Sequence, residues 1–139
     1  MRRGALHACL ALGAAALAGG CSSEDTRPAS FTYIYETVLQ PSCATVNCHN
    51  SWTHLYGLRF ESKEATYAYL TGVVCDESTE EIPGLPTGNF VSPGQPDRSP
   101  LVHLLYGDDV TRRMPPDRGL PQTDIELVER WILEGALCN

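Results

Sequence analysis

The sequence predicts an all-α domain with long irregular loops. Three observations carry that reading. Apolar residues recur at helical spacing toward both ends of the chain, capping residues stand ahead of the inner helices, and five prolines with three glycines crowd residues 76–100.

Taken in order, residues 1–20 read as a leader rather than as part of a fold. Arg2 and Arg3 precede a small apolar run from Ala5 to Ala18, which Gly19, Gly20 and Cys21 close; basic start, apolar core and small residues before a cleavage point make a secretory signal. Roughly 14 apolar residues fall short of the ~20 that span a bilayer. The run Leu17-Ala18-Gly19-Gly20-Cys21 resembles the lipobox of bacterial lipoproteins, which implies that Cys21 becomes a lipidated N-terminus. Residues 21–29, opening Ser22-Ser23-Glu24-Asp25, then read as a solvated tether. One domain over residues 30–139 is expected.

Within it, Phe31, Ile34, Tyr35, Val38 and Leu39 mark one face of a helix that Pro41 is expected to end. A cysteine-bearing loop follows to His54, and Gly57-Leu58-Arg59-Phe60 reads as a short extended piece. Ser62 can cap a second helix through about Thr71, with Gly72 at its end. No regular element is expected across the breakers of 76–100, and a loop of that length is usually functional. Ser99-Pro100 opens a short helix with Leu101, Leu104 and Leu105, the hydroxyl acting as cap. Thr123-Asp124-Ile125-Glu126 has the form of a capping box opening a last helix with Ile125, Val128, Trp131 and Ile132 on one face.

The whole chain carries a net charge of −7, and loss of Arg2 and Arg3 with the leader leaves 8 basic against 17 acidic residues, a net −9. Nucleic acid is excluded as a partner on that balance, since neutralising phosphates needs a basic surface. Six cysteines are present, and beyond Cys9 and Cys21 four remain: Cys43, Cys48, Cys75 and Cys138. Export places them where thiols oxidise, so each needs a role.

Cys43-Ala44-Thr45-Val46-Asn47-Cys48-His49 holds two thiols and an adjacent imidazole. That grouping suits covalent haem attachment, in which the thiols add to vinyl groups and the imidazole reaches the iron. The usual spacing has two residues between the cysteines, against four here. A local Cys43–Cys48 disulfide competes with this reading. A zinc site from Cys43, Cys48, His49 and His54 is weaker, because zinc thiolates suit reducing compartments, and blue copper sits poorly with a helical pattern. Met114 shifts the balance: after cleavage it is the single methionine, and it lies in Arg112-Arg113-Met114-Pro115-Pro116 rather than on an apolar helical face where core filler belongs. A stiff loop presenting one thioether is what a second axial ligand requires.

Cys43…Cys48-His49, then Val91-Ser92-Pro93-Gly94-Gln95-Pro96 with Ser99 and Leu101, then Met114-Pro115, then Trp131-Ile132-Leu133-Glu134-Gly135-Ala136 together resemble the planctomycete-type cytochrome c domain of secreted bacterial proteins and lipoproteins. The likeness spans about residues 31–139. It implies a small cytochrome c-like helical fold with covalent haem c, in which Cys43 and Cys48 form the thioethers, His49 is the proximal ligand and Met114 the distal one. It also implies a single-electron carrier that meets a redox partner protein. Cys75 and Cys138 remain, and pairing them is the economical solution. His103 is an alternative axial ligand, His54 a surface histidine, and Arg59, Arg112 and Arg113 candidates for haem propionates. The Pro93 carbonyl is a candidate acceptor for the His49 Nδ1–H.

The expected product is therefore a monomeric, lipid-anchored mono-haem cytochrome on the periplasmic side, with Ser22 after Cys21 resembling outer-membrane sorting in a Gram-negative bacterium. The rival is a cofactor-free, disulfide-knit surface lipoprotein acting as a binding or assembly module. An enzyme has little support, since no nucleophile, base and oxyanion grouping can be assembled.

Overall fold

The computed structural model describes residues 25–75, 90–108 and 112–139. Residues 1–24, read as leader and the start of a tether and including Cys21, lie outside the described residues, as do the acid-rich stretch and the first two prolines of the 76–100 segment. Helix α1 (Phe31–Ile34) starts where its free amides find acceptors. Ser30 Oγ accepts from the Tyr33 N–H at 3.3 Å, and Asn139 accepts from Phe31 through Oδ1 at 3.0 Å and from Thr32 through its carbonyl at 2.7 Å.

The helix does not end at Pro41. It continues as a π turn over Tyr35–Leu39 and then as α2 (Gln40–Cys43). A proline inside an α-helix lacks the N–H for its hydrogen bond and presses on the carbonyl four residues back. Here the wider turn, with the Gln40 N–H reaching back to the Tyr35 carbonyl, places Pro41 in the first turn of the next α segment, where no amide is required. Cys43 is thereby carried on a helix end rather than in a loop.

Helix α3 (Lys63–Thr71) matches the sequence expectation: Ser62 caps it by accepting from the Ala65 N–H at 3.1 Å, and Gly72 ends it at φ 73°. A 3-10 turn at Pro96–Arg98 interrupts the stretch expected to hold no regular element. Helix α4 (Pro100–Tyr106) begins as expected, but Ser99 does not cap it through its side chain. Its buried hydroxyl instead donates to the Gln95 carbonyl at 2.9 Å and accepts from the Ser92 N–H at 3.0 Å, fastening the proline-rich turn. Helix α5 (Gln122–Leu133) starts ahead of the expected capping box, with Pro121 as cap and its carbonyl taking the Asp124 and Ile125 amides. Asp124, in the first turn of α5, pairs with Arg27 at 2.5 Å.

The described elements are helices and short helical turns without a strand, an all-α arrangement. No helix among the described residues is long and apolar enough to cross a membrane. Phe31, Tyr67 and Trp131 bring α1, α3 and α5 together, with Phe31 centroids 5.0 Å from Tyr67 and 5.2 Å from Trp131. Offset and edge contacts of this kind add to the apolar burial that drives the packing. The Tyr67 hydroxyl donates to the Ala136 carbonyl at 2.9 Å and the Trp131 indole to that of Leu137 at 2.8 Å, so the polar ends of both rings are satisfied. Cys75 and Cys138 form a disulfide, with Cα atoms 5.7 Å apart. Residues 25–29, read as tether, lie against α5: Arg27 pairs with both Asp25 and Asp124, and Arg130 donates to the carbonyls of Asp25 and Arg27. The Arg27 guanidinium holds the Asp25 carboxyl down at about 2.

Candidate functional site

Between α2, α4 and the loops on either side lies a cavity of about 330 Å3, within the range of small-molecule and cofactor sites. Its walls are apolar: Leu39 at the end of the π turn, Leu58 and Phe60 from the extended piece, Leu70 from α3, and Leu101 and Leu105 from α4. Into this one cavity the fold brings Cys43, Cys48, His49 and Met114, residues spread over more than seventy positions of sequence.

Cys43 stands at the end of α2 and Cys48 after a turn; both are free thiols and half-buried. Burial pushes the Cys43 thiol up to about 12, with Cys48 beside it adding to the rise, so it is held protonated. The loop between them closes on itself, the Cys48 N–H donating to the Thr45 carbonyl at 2.9 Å and the His49 N–H to that of Cys43 at 3.0 Å. None of residues 44–47 lines the cavity, and Val46 is 74% exposed. The four-residue gap therefore bulges outward.

His49 is buried against Phe60, ring centroids 5.1 Å apart. Its Nδ1 lies 3.1 Å from the Leu55 carbonyl, which can only accept, so Nδ1 carries the proton and the Nε2 lone pair is left available. Leu55 is thus the acceptor in the place expected for Pro93. Burial lowers the His49 pKa, opposed by that hydrogen bond, and favours the neutral ring that can act as a ligand. The carbonyl is aimed by a tight turn in which His54 and Tyr56, on either side of Leu55, take φ values of 31° and 57°. Non-glycine residues in that region each store about 1 kcal/mol or more.

Met114 lines the same cavity from the loop that follows α4. It is half-buried, and its N–H donates to the Leu104 carbonyl of α4 at 2.8 Å. Arg112 and Arg113 line the same cavity with largely exposed side chains, whereas Arg59 and His54 do not line it. His103 also stays outside: its Nδ1 lies 2.8 Å from Asp108 Oδ2 and its Nε2 2.9 Å from the Asp97 carbonyl, so both nitrogens are engaged. Among the described residues no three His, Cys, Asp or Glu side chains gather as a metal cluster.

Sequence reasoning passed over Asn50, the Leu55 carbonyl, Tyr56 and Phe60. Asn50 had a readable signal, an Asx-turn residue directly after Cys48-His49. The Leu55 carbonyl had none, because a backbone acceptor is set by conformation alone. Searches against protein families, characterised proteins and solved structures find no match for this chain.

Proposed function

We propose that this chain is a c-type cytochrome domain that carries single electrons outside the cytoplasm, anchored to a membrane through lipid on Cys21. One observation carries the reading: two thiols, a neutral imidazole with a free Nε2 and a thioether line a single apolar cavity. That donor set fits haem c, and an apolar shell of this kind excludes water from such a group. Bound there, haem supplies a one-electron iron couple.

The chain's own residues do the rest. Cys43 and Cys48 would hold the group covalently, each thiol adding across one vinyl group so that a C–S bond replaces the vinyl π bond and the thiol hydrogen goes to the neighbouring carbon. No oxidant or leaving group is needed, and both cysteines are free thiols. His49 donates Nδ1–H to Leu55, which would leave Nε2 to serve as proximal ligand, while Met114, in the same cavity, would supply the distal one. Arg112 and Arg113, at the rim, are suited to the propionates. A low-spin His–Met pair gives a relatively high potential.

The test is a pyridine haemochrome spectrum with a haem-stained denaturing gel, on protein made with periplasmic cytochrome maturation. A c-type band that stays with the denatured chain is expected. A colourless product with Cys43 joined to Cys48 would overturn the reading in favour of the cofactor-free module. Anchoring is tested separately: Cys21→Ser should move the protein from the membrane to the soluble fraction.

A further inference from the structure

Beyond Ala44, which packs against the core, the inter-cysteine loop is held in place by something other than burial. Val46, at its crown, is exposed, and residues 44–47 make no part of the cavity wall. Two side chains from the next turn clamp it. Asn50 Nδ2 donates to the Thr45 carbonyl at 3.0 Å, and Thr53 Oγ1 donates to the Val46 carbonyl at 2.5 Å. Asn50 is itself 6% exposed, and its Oδ1 accepts from the Trp52 N–H at 3.0 Å and the Thr53 N–H at 2.9 Å. A single buried amide therefore shapes the turn that delivers Thr53 and fastens the loop that separates the thiols.

We infer that Asn50 is a positioning residue for haem attachment, holding the long Cys43–Cys48 loop outward so that both sulfurs face the cavity. The inference rests on the c-type reading. Two extra residues between the cysteines give the loop more conformations in which one thiol turns away from its vinyl group, and the Asn50 and Thr53 bonds remove them. Asn50 touches neither thiol and acts through the backbone of Thr45 and, by way of Thr53, of Val46.

Asn50→Asp separates this role from a general structural one. Aspartate keeps both lone pairs for the Trp52 and Thr53 amides, so the turn survives, but it has no N–H for Thr45. In the full chain, made with periplasmic maturation, covalent haem per polypeptide should fall at least about fivefold, the leverage of one hydrogen bond on a conformational equilibrium, increased by repulsion between the new carboxylate oxygen and the Thr45 carbonyl. The remaining haemochrome α band should move toward that of haem held by one thioether, a signature that mere destabilisation does not produce. Thr53→Val, a change at an exposed residue, should give the same band shift in a smaller fraction. Wild-type loading and an unmoved band in Asn50→Asp would overturn the inference while leaving the cytochrome reading intact. Should Asn50→Asp fail to fold, an unmoved band in Thr53→Val would overturn it equally. A wild-type chain without covalent haem would remove the cytochrome reading and this inference with it.

Discussion

Replacing both Cys75 and Cys138 by serine tests how the scaffold is divided from the site. The bridge spans 63 positions of sequence. In the chain-entropy description, closing a loop of that length removes about 14 cal/mol/K from the unfolded ensemble, which is about 4 kcal/mol at 25 °C. The Cα separation of 5.7 Å is ordinary for a disulfide, so no distortion of the native backbone offsets this. The native end of the chain has other anchors, namely the Tyr67 and Trp131 hydrogen bonds to Ala136 and Leu137 and the Asn139 contacts with α1. The double variant should therefore fold as before and lose stability through its unfolded state. Urea unfolding of the oxidised wild type and the Cys75→Ser/Cys138→Ser pair, at matched haem content, should show midpoints separated by about 2 M for an m-value of about 2 kcal/mol/M. Neither sulfur lines the cavity, so the visible spectrum of the folded variant should not move. A loss below about 1 kcal/mol, or a changed spectrum, would refute this division.

Three further outcomes are expected. Met114→Ala should open or replace the sixth axial position and lower the redox midpoint; an unchanged midpoint and visible spectrum would remove the ligand assignment. Gly107→Ala should disturb the same loop at a distance, because Gly107 sits at φ 74° and a Cβ there would come within 2.8 Å of Arg113 Cγ, next to Met114. The backbone strain alone costs about 1 kcal/mol, and a shift in the methionine-ligation spectrum is the readout. Hydrogen bonding to Asp108 and the Asp97 carbonyl raises the His103 pKa above its ordinary 6.5. The stability this contributes is complete below pH 6.5 and is lost as pH rises through the higher folded value. His103→Gln should flatten that part of the stability–pH curve, as read by denaturant midpoints between pH 5 and 9.

Helices α3 and α5 were legible in the sequence because their apolar spacing and the Ser62–Gly72 pair act locally. Pro41 misled because a proline is read as a stop, whereas one widened turn absorbs it, and nothing in the residue types announces a π turn. Ser99 and Thr123 misled for a related reason: both hold the right hydroxyl in the right place, yet other partners take the groups a cap would use. Ser99 serves the Ser92–Gln95 turn, and Glu126, the far member of the box, accepts from the Gln122 side chain at 2.7 Å. The four cavity donors could be named from spacing and residue type, since thiol, imidazole and thioether chemistry is carried by side chains. The acceptor that fixes the His49 tautomer could not, because any carbonyl can serve and only the backbone at His54–Tyr56 decides which one does.

The two sides of the cavity are held in different ways, and the difference bears on how such a site would behave. On the His49 side the backbone is fixed several times over. Its N–H binds the Cys43 carbonyl, its own carbonyl accepts from Phe60 at 2.8 Å, its ring is fixed by Leu55, and Asn50 pins the neighbouring turn. On the Met114 side, the Met114 N–H donates to the Leu104 carbonyl of α4, and the Arg113 side chain reaches the Pro116 carbonyl at 3.3 Å. Under the proposed reading, the fixed His49 ring would keep the proximal side in place through a change of iron oxidation state. The Met114 loop would be held through α4, by the Leu104 bond and the close approach of Gly107 to Arg113.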